Sequence, residues 1–354
     1  MPFALADATL LALFGLSGGV ILGLAARLGR FCTLGPIEDM LYQNSTLRLR
    51  MWGLAIGVAG LGAALLMAFG ALDPALSIYH RAPWSPVMAI AGGLIFGYGM
   101  ALAGNCGFGA LARFGGGDLR SFVIVLVMGI SAYITLSGPL AALRTTLMSL
   151  SAVPTGLRSY PQLFDVLLGL PVPFGNALLS GAITLWAIGN RAILTNPQSL
   201  FWGAAVGLAI TSGWAGTAWI AANGFSSFPV QSHAFTAPLG ETLLFLMTSS
   251  GGGLSFGVGS VFGVLLGAFI GSLIKGHFRW EACEDPRELK RQVLGAAMMG
   301  AGAVMAMGCT IGQGVSAFSL MTFNAPLVFA AIFAGAAFGL HQLITGFAPN
   351  FGRD

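Results

Sequence analysis

"ALAGNCGFGA", residues 101–110, sets a single cysteine into a glycine-rich break between two apolar runs. "RLGRFCTLGP" (27–36) and "MAMGCTIGQG" (305–314) do the same with Cys32 and Cys309. The three breaks share one frame. Gly92, Gly93, Gly97, Gly99, Cys106 and Gly109 align without a gap on Gly18, Gly19, Gly23, Ala25, Cys32 and Gly35, and on Gly295, Ala296, Gly300, Gly302, Cys309 and Gly312. Glycine is common here, but six ungapped positions that include the scarce cysteine mark an internal repeat. A fourth, degraded copy keeps Gly203, Gly207 and Ala209, with Gly216 at the cysteine position.

The solvent around this chain is mostly lipid. Of its 354 residues 56% are hydrophobic and 8% charged, and the mean hydropathy is +0.84. So few charges cannot keep the surface of a water-soluble domain wet. The opening "MPFALADATL" has no positive region and no small-residue cleavage site, so it reads as the lead into a first span. No basic run carries interleaved aromatics, which leaves nucleic acid binding nothing to rest on.

Nine runs approach the ~20 apolar residues a helix needs to cross a bilayer: 8–27, 50–71, 86–104, 119–140, 174–190, 199–220, 254–275, 291–308 and 325–346. An odd number puts the termini on opposite sides. With the N-terminus outside, thirteen of the 16 basic residues fall on the cytoplasmic side, and only Arg81, Arg144 and Arg158 lie outside. Four further stretches, 33–46, 107–117, 238–250 and 310–322, are too apolar for loops and too short to cross. They are expected as re-entrant half-helices, which need shielding by protein or a water-filled cavity; interfacial amphipathic helices are the alternative.

The expected fold is therefore an all-α integral membrane protein forming a single transport domain over 1–354. Its halves span about 8–140 and 199–346, joined through 141–198 by a Pro-rich outer loop and one connecting span. An odd connector between four-span halves inverts one against the other, so that discontinuous elements from both sides meet near the midplane. The small residues have a compatible packing reading, since they let membrane helices approach closely.

Each cysteine precedes a short helix, whose N-terminal N–H groups favour anions. A thiol there adds a weak S–H donor and a polarizable sulfur. Together they suit a soft, sulfur-containing anion, so Cys32, Cys106 and Cys309 are the candidate pathway residues. Asn105, Thr310, Gly35, Gly109 and Gly312 are possible contacts beside them. Burial as small hydrophobes is the plainer reading of the cysteines. No acidic residue lies centrally in a span, so no carboxylate proton relay is visible, and His341 reads as a packing ring.

No Cys or His spacing suits zinc, and no cofactor is expected. A Cu(I) or other soft-metal transporter is a second reading, since Met305 and Met307 flank Cys309. A membrane thiol oxidoreductase is a third and would show a disulfide. Cys283, in the charged stretch "RWEACEDPRELKR", reads as an exposed free thiol.

With "GRFCTLG", "AGNCGFGALARFGGGDLR" and "MGCTIGQG" in place, the chain resembles the YeeE/YedE family of bacterial sulfur transport proteins along essentially its whole length. The resemblance implies a thiosulfate-uptake permease of the inner membrane, not an enzyme, with an hourglass of nine spans and half-spanning helices. It implies that Cys32, Cys106 and Cys309 pass thiosulfate inward by S–H contacts, and that a small TusA-like sulfur carrier is a cytoplasmic partner. Members associated with selenium metabolism leave a selenium species open as the solute. Where the family's pattern has a basic-acidic pair after the first cysteine, this chain has Glu38-Asp39.

Overall fold

The computed structural model describes residues 2–224, 228–248, 253–282 and 285–346. Cys283 lies outside them. The chain is helical throughout, with no strand among the described residues. The helices are α1 (Pro2–Leu28), α2 (Leu34–Tyr42), α3 (Leu47–Ala68), α4 (Ile78–Arg81), α5 (Pro86–Ala103), α6 (Gly107–Gly115), α7 (Leu119–Leu136) and α8 (Ala141–Leu150). They continue as α9 (Tyr160–Leu168), α10 (Val172–Ile188), α11 (Arg191–Leu194), α12 (Pro197–Asn223), α13 (Ala237–Thr248), α14 (Phe256–Ile274), α15 (Pro286–Met305) and α16 (Asn324–Thr345). A π-helical turn, Gly312–Ala317, lies between the last two.

Seven helical stretches among the described residues are long and apolar enough to cross a membrane. They are α1, α3, α5 with α6, α7, α12, α14 and α16. The two other expected runs also hold helices. At 17 residues, α10 is shorter, and α15 begins with Arg287, Glu288, Lys290 and Arg291, which lower its hydropathy. The four short stretches hold α2, α6, α13 and the π turn.

Packing follows the small residues. α1 lies along α14 and α3 along α12, while α5 meets α16 and α7 meets α15. α1 also packs on α12, and α5 on α15. A Cβ placed on Gly99 would come within 2.6 Å of the Gly295 carbonyl oxygen, and one on Gly302 within 2.7 Å of that of Gly92. The α5–α15 seam therefore excludes any side chain at these positions, as close packing of membrane helices requires. The short elements pair in step: α2 with α3 and α16, α13 with α14 and α7, α6 with α7 and α14, the π turn with α16 and α3. This pairing is unchanged when α1, α2, α3, α5, α6 and α7 are exchanged for α12, α13, α14, α15, the π turn and α16.

Two residues before each cysteine the backbone turns left-handed: Arg30 at φ 55°, Gly104 at φ 71° and Met307 at φ 60°. This conformation ends the preceding helix and costs a non-glycine residue about 1–2 kcal/mol. The fourth copy has no such break. Gly216 lies inside α12, which continues to Asn223.

Candidate functional site

Cys106 is the N-cap of α6, with extended backbone (φ −84°, ψ 168°). Its sulfur accepts the Gly109 N–H at 3.4 Å and the Thr33 hydroxyl at 3.6 Å. The sulfur thus satisfies one of the orphan donors of a helix start. Cys309 repeats the geometry at the π turn: its sulfur accepts the Gly312 N–H at 3.4 Å and the Phe235 N–H at 3.3 Å. The shared Cys-x2-Gly spacing thus has a local cause, since the residue three along presents its N–H to the sulfur.

Cys32 differs, because α2 starts one residue later and Thr33 stands at its N-cap. Its thiol points to the Asn105 side-chain oxygen at a long 4.0 Å. Its carbonyl accepts the Trp52 indole N–H at 3.0 Å, and that ring stacks on Phe31 at 4.7 Å. All three cysteines are free thiols. Cys106 and Cys309 are fully enclosed, while Cys32 is partly exposed.

The structure brings the sequence candidates into two groups. Cys32, Asn105, Cys106, Gly35 and Gly109 surround the first two breaks; a Cβ on Gly109 would press on the Asn105 side chain and one on Gly35 on Arg48. Cys309, Thr310 and Gly312 form the second group, where a Cβ on Gly312 would lie 3.4 Å from the Tyr79 hydroxyl. Phe235 stands between them. Its N–H reaches Cys309 and its ring lies 5.2 Å from that of Phe108, two residues past Cys106.

Cys32 and Asn105 face an open cavity of about 370 Å³ whose wall holds Arg27, Arg30, Arg48, Arg113 and Lys275 against a single carboxylate, Glu38. Asp39 pairs with Arg48 at 3.2 Å, so the acidic pair Glu38-Asp39 offsets only part of the positive charge. A second cavity of about 630 Å³ shares Arg27 and Arg113 and adds Arg120 and Arg279, together with the carboxylates Asp118 and Glu281. The Lys275 ammonium donates to the Arg27 carbonyl at 2.7 Å. Burial, and then the charges of Arg30 and Arg27, hold its pKa below the ordinary lysine value.

Sequence reasoning did not single out this basic wall, because its cations come from four distant segments. It also passed over three buried groups, Tyr79, Thr236 and His233. Tyr79 and Thr236 carry hydroxyls without a hydrogen-bond partner, as Thr310 does, and the Asn105 side-chain nitrogen is likewise unpartnered. His233, fully buried, is bonded through Nδ1 to Ser260 at 2.6 Å and lies tilted against the Phe256 ring at 4.9 Å. His341, expected as a packing ring, is exposed on α16. Met305 and Met307 line a tight void with Met88 and Met148, and Cys309 is not part of that lining.

Apolar helices broken at three thiols, and opening at one end into a basic cavity, make up a multi-pass membrane protein of the transport class. Residues 28–338 match the family model described as Sulphur transport. The chain belongs to that sulphur transport family, the YeeE/YedE proteins. It is 28% identical over 328 residues to the thiosulfate transporter TsuA of Escherichia coli (strain K12), covering 88% of this chain and 89% of the relative. It is 26% identical over 336 residues to the thiosulfate transporter TsuA of Spirochaeta thermophila, covering 89% of this chain and 94% of the relative.

Proposed function

We propose that the protein imports thiosulfate, or a closely related soft sulfur oxyanion, across the bacterial inner membrane along Cys309, Cys106 and Cys32. The observation that carries this reading is the state of the two enclosed thiols. Each sulfur accepts two hydrogen bonds from the protein, which leaves its S–H proton to donate to a passing anion. A dianion would be repelled by thiolates, so the thiols act as neutral donors and form no bond to the solute. This is transport without covalent chemistry, and the protein is not an enzyme.

On this reading the chain makes nine spans, counting α10 and α15, and the bias of its basic residues puts the N-terminus outside and the basic cavity at the cytoplasmic face. The exchange of pairing between the two helix sets supports an inverted repeat with halves near 8–140 and 199–346. On this reading α2 and α6 enter from the cytoplasm, and α13 and the π turn from outside. The five cations around Cys32 then draw the anion off the innermost thiol, and a TusA-like carrier would meet that mouth from the cytoplasm.

The test is uptake of labelled thiosulfate in cells lacking other importers, with sulfate and selenite as competitors. Uptake that needs this protein and resists sulfate supports the reading. Growth that depends on copper and ignores the sulfur source would instead favour a soft-metal transporter.

A further inference from the structure

Three buried hydroxyls on the segments that adjoin Cys309 have no hydrogen-bond partner. Tyr79 is 7% exposed, Thr236 3% and Thr310 0%, and none of their oxygens has a partner. Leaving a buried hydroxyl unpaired costs about 1–3 kcal/mol, so three on these adjoining segments call for an explanation.

Their placement is tied to that thiol by separate elements. Thr310 follows Cys309 directly. Thr236 follows Phe235, whose N–H bonds the sulfur at 3.3 Å. The Tyr79 hydroxyl reaches in from α4 to within 3.4 Å of where a Gly312 side chain would begin, and the Gly312 N–H is itself on the sulfur. The Tyr79 ring is held edge-on to Trp214 at 6.1 Å, and Trp214 donates to Ser319 at 3.0 Å. The hydroxyl is therefore aimed by packing. At the other break the contrast is direct: Thr33 precedes α2 as Thr236 precedes α13, yet Thr33 has the Cys106 sulfur as its partner.

We infer that Tyr79, Thr236 and Thr310 form an outer cradle that donates hydrogen bonds to the oxygen atoms of the transported oxyanion while Cys309 meets its soft sulfur. The inference rests on the thiosulfate reading above and adds how the anion is oriented. The cradle divides the labour by hardness: O–H donors suit the negative oxygens and are strengthened by their charge, and the polarizable thiol suits the terminal sulfur. An ion with only one of these ends satisfies only half of the site, which discriminates thiosulfate from sulfate.

The experiment compares uptake of labelled thiosulfate by wild type and by the near-isosteric variants Tyr79→Phe, Thr236→Val and Thr310→Val, with Thr310→Ser as the variant that keeps a hydroxyl. Each lost donor to a charged group is expected to raise KM about ten-fold, and Thr310→Ser to stay within about two-fold of wild type. Thermal denaturation without solute reports whether each variant is folded, and Tyr79→Phe keeps the ring that packs on Trp214. KM values within about two-fold of wild type in Tyr79→Phe and Thr310→Val would overturn the cradle alone and leave import standing. A wild type that takes up no thiosulfate would remove the import reading and the cradle with it.

Discussion

The backbone N–H of Phe235 donates to the Cys309 sulfur at 3.3 Å, while the Phe235 ring rests 5.2 Å from Phe108 in the helix that Cys106 caps. One residue thus joins the two enclosed thiols through its backbone on one side and its ring on the other. Phe235 and Phe108 are both fully buried, so the ring pair fills the space between the breaks.

Phe235→Ala should remove that plug while keeping the N–H on Cys309. Truncating a buried phenylalanine costs about 3 kcal/mol or more, so the variant is expected to melt earlier in detergent. Its thiosulfate uptake should also become more sensitive to competing sulfate. Unchanged melting and unchanged competition would show that the ring neither packs nor selects.

Arg113 belongs to the walls of both basic cavities. Exposed charges attract an anion over distances that salt shortens to about 10 Å or less. Arg113→Gln should weaken thiosulfate binding by the purified protein several-fold at low salt, and the difference from wild type should shrink at high salt. A salt-independent loss would point to a structural defect.

Lys275 gives the cavity a pH dependence. Its pKa is depressed below the ordinary lysine value by burial and then by Arg30 and Arg27, so it loses its charge at a lower pH than a free lysine. Thiosulfate binding is expected to weaken as pH rises through that alkaline window, where a cation is lost. Lys275→Arg, which stays charged there, should remove this step from the binding curve.

Gly104 has φ 71°, and a Cβ at this position would meet no atom within 4 Å. Gly104→Ala therefore tests backbone strain without a clash. It should cost about 1–2 kcal/mol, read as a lower melting temperature with transport retained. Arg30 and Met307 already bear that strain at the other two breaks.

Those three residues show where sequence reading stops. Cysteine is scarce and glycine conspicuous, so the thiol-bearing breaks are legible at Cys32, Cys106 and Cys309. The left-handed residue two positions earlier is not, because Arg30, Gly104 and Met307 share a backbone angle and no side-chain chemistry. Gly216 fits the glycine frame but sits in an unbroken α12, where Thr217 returns its hydroxyl to the Gly213 carbonyl at 2.9 Å and the helix runs on. The cations of the cavity are visible in sequence as orientation charges. Only folding gathers Arg27 from α1, Arg48 from α3, Arg113 from α6 and Lys275 from the end of α14 around Cys32. Tyr79 lies between two expected spans and carries no motif; only the fold of α4 brings its hydroxyl beside Gly312.

The thiol relay itself is tested most directly by labelled thiosulfate uptake in cells expressing Cys106→Ala or Cys309→Ala at wild-type levels. Losing an S–H donor from an enclosed path should lower uptake by about ten-fold or more in each. Wild-type rates in both variants would contradict the relay.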